Sequence, residues 1–144
     1  MPTASYVKVT SANEDLAEGI NSGTDQWAIA LAATAPASKV FTSGTTDLGT
    51  GQGYTAGGAN VSTTSSGMNG SDFVLVLADP AVWTATGAGF TFRYALLVNK
   101  TVLNGAQGTV LGYWDYGSSQ VVAVGETVTV DLDQTATVGV FKIT

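Results

Sequence analysis

The chain has no cysteine and no histidine in 144 residues. The first absence excludes disulfides, thiol nucleophiles and thiolate metal sites. The second removes the commonest general base at neutral pH and the commonest transition-metal ligand. Charge is scarce too: 11% of residues are charged, against about a quarter in ordinary domains. The five cations stand singly, at Lys8, Lys39, Arg93, Lys100 and Lys142, and the net charge is −6. Neither a basic footprint for nucleic acid nor a polybasic run for an anionic membrane is present, so neither partner is expected. No apolar run approaches the length of a membrane span. Met1 to Ser5 lacks a charged n-region and an apolar h-region, so a secretory leader is not expected there. Residues 1–5 read equally as a flexible docking arm or as a frayed end.

What remains is 44% hydrophobic, rich in Val, Thr, Ser and Gly. That is too apolar for disorder, and the length suits one domain, 1–144, with its own core. Hydrophobic spacing points to strands. Trp27, Ile29 and Leu31 alternate with Ala28, Ala30 and Ala32, giving a strand with one face of large residues and one of alanines; an Ala-rich helix is the competing reading, and Pro36 ends either. Phe73 to Ala78 is continuously apolar, as expected of a strand covered on both faces, and Asp79-Pro80 stops it. Phe90, Phe92, Tyr94, Leu96 and Val98 alternate with Thr91, Arg93, Ala95, Leu97 and Asn99, predicting a long strand with those aromatics on one face. Val110 to Tyr116 predicts a strand that Gly117-Ser118 turns into a second, Gln120 to Val124. Val128, Val130 and Leu132 alternate with Thr127, Thr129 and Asp131, a half-buried pattern. Shorter strands are predicted at Tyr6 to Thr10, Lys39 to Thr42, before Thr64 and at Val138 to Ile143. Ser65 to Ser71 and Asn104-Gly105 read as turns.

Asn13 to Ile20 is the one helix candidate. Asn13 caps it, and Glu14 and Asp15 occupy its first turn. Eight or nine strands with a turn every 8–12 residues or so predict an all-β sandwich or barrel.

Five of the 18 glycines fall within Gly49 to Gly58. No Gly-Lys-Ser/Thr ending follows, so this is not a P-loop, and its spacing is not that of a dinucleotide fingerprint. The stretch reads as shaped backbone, with positive φ expected at Gly57 or Gly58. Asp131 and Asp133, at i and i+2, could share a hard cation, but no calcium-loop ligand spacing supports a metal, and a solvated strand face is the better reading. Asp79 and Asp115 are the carboxylate pair that glycoside hydrolysis would need, with nothing fixing their separation. No Lys stands beside a distinctive Ser for nucleophilic catalysis. No cofactor, metal or catalytic residue is therefore expected. Among Trp27, Trp83, Tyr113, Trp114 and Tyr116, core packing accounts for most. Trp114-Asp115-Tyr116-Gly117 is the best exposed aromatic tip, making Trp114 and Tyr116 the candidate partner or sugar contacts. The sequons at Asn60, Asn69 and Asn99 are chance matches in a chain rich in Ser and Thr.

Several blocks in order resemble a family of small structural proteins of tailed bacteriophages. They are Asp15-Leu16-Ala17-Glu18-Gly19, Trp27 to Leu31 running on to Thr34-Ala35-Pro36, Gly53-Tyr54-Thr55-Ala56-Gly57-Gly58-Ala59, Phe73 to Asp79, Phe92-Arg93-Tyr94-Ala95, and Gly112 to Ser118. Some members of that family resemble capsid cement, or decoration, proteins. The resemblance implies a β-sandwich of jelly-roll type and a non-catalytic role on the outer shell of the virion. It also implies assembly in the bacterial host cytoplasm, the major capsid protein as partner, and self-association as a homodimer or homotrimer. A tail or fibre component that binds a host glycan is the alternative. In that family a His follows the Asp-Leu-Ala-Glu-Gly block near the position of Asn21. This chain has no His, and no site residue is carried over.

Overall fold

The computed structural model describes residues 3–10, 12, 19–101 and 107–144. The helix expected over Asn13 to Ile20 falls mostly on 13–18, outside the described residues, as does the Asn104-Gly105 turn. Ten strands are described: β1 (Tyr6–Lys8), β2 (Trp27–Ala32), β3 (Ala59–Val61), β4 (Thr63–Asn69), β5 (Asp72–Leu77), β6 (Trp83–Thr84), β7 (Phe90–Asn99), β8 (Thr109–Val122), β9 (Thr127–Val128) and β10 (Phe141–Ile143). The count exceeds the expected eight or nine because some ladders are only two or three residues long. All pairings between these strands are antiparallel.

A five-stranded sheet, β1-β8-β7-β2-β3, faces a three-stranded sheet, β10-β5-β4, and the β6-β9 ladder forms a third, small sheet. The core is a β-sandwich core. Trp27, Ile29, Leu31, Phe92, Leu97 and Leu111 from the large sheet pack with Leu75 and Leu77 from the small one. Trp27 meets Phe141 of β10 edge-on across the interior, 6.0 Å between centroids. Trp83 and Val128 of the small ladder belong to the same core.

Strand β2 follows its sequence pattern: the large residues enter the main core. The alanines face the other way and are buried as well, in a second cluster with Phe41, Leu96, Val98 and Val110. Small side chains there let Phe41 close over the sheet; the segment that carries Phe41 makes only an isolated bridge, Val40 to Thr109, rather than the predicted strand. Strand β5 is the centre of its sheet and buried from Val74 to Leu77.

Three further expectations are corrected. The alternation along β7 changes phase at Arg93: Phe92, Ala95 and Leu97 enter the main core, whereas Leu96 and Val98 face the second cluster, with Tyr94 packed against it. Pairing steps from Phe92↔Gln120 to Tyr94↔Asp115, so Arg93 stands opposite four residues of β8. An unpaired residue shifts a strand's two-residue period and so exchanges its faces. For the same reason Gly117-Ser118 is not a hairpin turn but the bulge inside one fourteen-residue strand. Lastly, Ser65 to Asn69 is strand, not turn. It completes β4, and the turn is confined to Gly70-Ser71, between the paired Asn69 and Asp72.

Candidate functional site

The glycine-rich stretch is a fastening. Tyr54 is buried, and its hydroxyl donates to Asp47 Oδ2 at 2.6 Å and accepts from the Leu31 N–H at 3.1 Å. The same carboxylate, buried as well, accepts from the Gly57 N–H at 2.7 Å and the Gly44 N–H at 2.6 Å. Burial, and then the bond to Asp47, push the Tyr54 phenol well above its ordinary range, so it stays an O–H donor. Gly57 and Gly58 both have positive φ, +100° and +72°, as expected. A Cβ on Gly58 would lie 2.2 Å from the Ile29 carbonyl oxygen, and one on Gly53 2.0 Å from that of Thr84. The loop is thus pressed against β2 and β6 by backbone contact that only glycine permits.

The candidate aromatics separate by position. Trp27 and Trp83 are core residues, and the Trp27 indole N–H donates to the Ser22 carbonyl at 2.9 Å. Tyr113 lies on the second cluster, edge-on to Tyr94 at 5.7 Å. Trp114 and Tyr116, half-buried, line one groove together with Thr3, Ala4, Tyr6, Asp131, Asp133 and Thr135. Its volume is about 810 Å³. The aromatic pair and the acidic pair, unrelated in the sequence, therefore share a site. Tyr6 packs on Trp114 with 5.2 Å between centroids, and Phe92 stands edge-on to Tyr116 at 5.7 Å. Each of the two rings is thus packed against an aromatic neighbour.

Asp131 and Asp133 are exposed while Val130 and Leu132 between and beside them are buried. Asp133 accepts from the Thr135 N–H at 2.8 Å. Hydrogen bonds from the Thr135 side chain and backbone hold its carboxyl below the usual range. Among the described residues no group of three or more potential metal ligands occurs. The other carboxylate pair is engaged structurally. Asp79 accepts from the Leu132 N–H at 2.8 Å. Asp115 holds Arg93 in a two-pronged pair, Nε to Oδ1 at 2.8 Å and Nη2 to Oδ2 at 2.9 Å. Asp115 Oδ1 also accepts from the Gly117 N–H at 2.8 Å, so one carboxylate ties both strands of the bulge.

The Arg93 bond, followed by that from Gly117, holds the Asp115 carboxyl below its ordinary range. A lowered folded-state pKa stabilises the bulge above the unfolded pKa, and that contribution is lost as pH falls through the folded one. Acidification below the usual carboxylate range should shift the Gly117 amide resonance and raise its exchange rate. In Asp115→Asn that pH response should disappear. A Gly117 resonance unmoved down to about pH 2 would mean the bulge does not depend on the pair.

Sequence reasoning reached Trp114, Tyr116, Asp131 and Asp133. It missed Tyr6 and Thr135 in the groove, and Asp47. Tyr6 reaches the groove because β1 pairs with β8 in the register Tyr6↔Trp114, a long-range pairing with no local mark. Comparison with family models, with curated proteins and with solved structures finds no match to this chain.

Proposed function

We propose that the chain is a non-catalytic virion structural protein of a tailed bacteriophage, a decoration protein bridging major capsid proteins on the outer shell as a homodimer or homotrimer. The observation that carries this reading is β4. It is an edge strand of seven residues, exposed from Thr64 to Asn69, with no charged residue and no proline. Long edges are normally guarded by charge, proline or bulges, because their free N–H and C=O groups pair with any neighbouring strand. The irregularity in β4 lies at its start, between Thr63 and Ser65, leaving Ser65 to Asn69 open to strand addition. Short Ser side chains lose little entropy when such a contact forms.

The glycine block that most resembles the phage family is the fastening around Asp47 and Tyr54, so the likeness lies in a determinant of the fold. The acidic balance disfavours DNA and suits the outer face of a shell. A jelly-roll connectivity, which the resemblance implies, belongs to this same reading, as does assembly in the bacterial host cytoplasm.

Ser65→Lys places a charge on the open edge, on the side away from the core. It should abolish self-association and binding to shells lacking the protein, while changing stability by less than about 0.5 kcal/mol. Sedimentation and a shell-binding assay check this, and an unchanged oligomer that still binds shells would refute the role of β4. The second reading, a tail or fibre component, is favoured by the Trp114–Tyr116 groove. Location in the particle separates the two.

A further inference from the structure

We propose that the groove between β8 and residues 129–140 binds a neutral oligosaccharide, with Trp114 and Tyr116 as the stacking platform and Asp131 and Asp133 as hydroxyl acceptors. The site does not rest on where the protein sits in a particle, since shell and tail positions both leave room for it.

The platform comes first. Trp114 and Tyr116, two residues apart on β8, both pack against the main core and both line the groove, so their side chains share one side of the strand, roughly 7 Å apart. Neighbouring rings of a sugar chain can each cover one aromatic face at such a spacing. The C–H faces of a sugar are apolar, and Trp and Tyr offer broad, rigid surfaces that lose little freedom on binding. Tyr6 and Phe92 restrict these two rings further by packing against them. The preorganisation is thus built into β1, β7 and β8 rather than formed by the ligand.

Residues 129–135 supply the polar half. Among them Asp131, Asp133, Thr129 and Thr135 line the groove. Asp133 is already oriented by Thr135, and Asp131 makes no hydrogen bond or ion pair among the described residues. Sugar hydroxyls are donors that such carboxylates accept strongly. The volume, about 810 Å³, falls within the range of about 300–1,000 Å³ typical of small-ligand sites. That volume has room for more than one sugar ring.

Charge sets the class. The groove has two carboxylates and no Lys or Arg among its lining residues. A uronate, sialate or phosphorylated glycan would be repelled, and a neutral chain would not. A basic peptide is the competing occupant, because it would pair with both acids.

The test uses the full-length protein on an array of neutral oligosaccharides built from hexoses and N-acetylhexosamines, beside their anionic counterparts and hexa-arginine. The strongest neutral binder is then titrated by isotope-edited NMR. We expect binding to a neutral chain, with shifts at residues 129–135 and the Trp114 indole. We expect at least a tenfold loss in Trp114→Ala and a severalfold loss in Asp131→Ala. Because Trp114 also touches the core, Asp131→Ala at an exposed site serves as the variant that keeps the fold. Binding to hexa-arginine alone, to anionic glycans alone, or to no neutral glycan would overturn the proposal. So would neutral-glycan binding untouched by Asp131→Ala and Trp114→Ala.

Discussion

Gly58→Val should cost the protein a large part of its stability. Gly58 has φ +72°, where a β-branched residue is strained, and its Cβ would sit 2.2 Å from the Ile29 oxygen and 2.8 Å from the Ala30 Cα. Neither atom can give way. Ile29 and Ala30 lie in β2, paired to β7 on one side and, at Ile29, to β3 on the other, with both faces buried. The left-handed conformation costs about 1–2 kcal/mol and overpacking about 1–3 kcal/mol more. A total of roughly 2–5 kcal/mol is a large part of the ~5–15 kcal/mol that holds a domain together. The melting temperature should fall by about 10 °C or more. Gly67→Val is the control. Gly67 lies in β4 without a positive φ, and a Cβ there meets nothing within 4 Å. A Gly58→Val protein that melts like the Gly67→Val protein would show that the loop does not press on β2.

Asp47→Ala should have a comparable effect by a different route. The carboxylate is buried and accepts from the Tyr54 hydroxyl and the N–H groups of Gly44 and Gly57. Alanine leaves three donors without a partner, at about 1–3 kcal/mol for each that water cannot reach. A loss of roughly 3–5 kcal/mol is expected in denaturant unfolding. Tyr54→Phe removes one of these donors, and also the acceptor for the Leu31 N–H. The double mutant should therefore lose less than the sum of the singles, because the two residues share one network. A loss below about 1 kcal/mol for Asp47→Ala, or strict additivity, would mean the fastening is dispensable.

Much of the sandwich was legible because burial leaves a local period. The two faces of β2 and the continuous apolar run of β5 needed only residue spacing. The phase change in β7 was not legible, because it arises from how Arg93 meets Tyr116 to Ser119 on another strand. The same pairing hid the continuity of β8, since a glycine in a bulge and a glycine in a turn look alike in sequence. β4 was misread because Ser, Gly and Asn are turn residues by composition. They form strand here because β5 pairs with them from Ser65 to Asn69. In the groove, each i, i+2 pair was visible singly. Their meeting depends on the crossing of the chain from β8 to residues 129–140, which no local pattern records. Asp47 carried no sequence signal beyond its distance of seven residues from Tyr54.

The central proposal, a decoration protein on the outer shell, is met most directly by imaging intact particles that carry this chain, with density assigned to it. The account predicts many copies spread over the outside of the shell, each with β4 against a neighbouring subunit or a second copy. Density confined to the tail, or its absence from the particle, would contradict it.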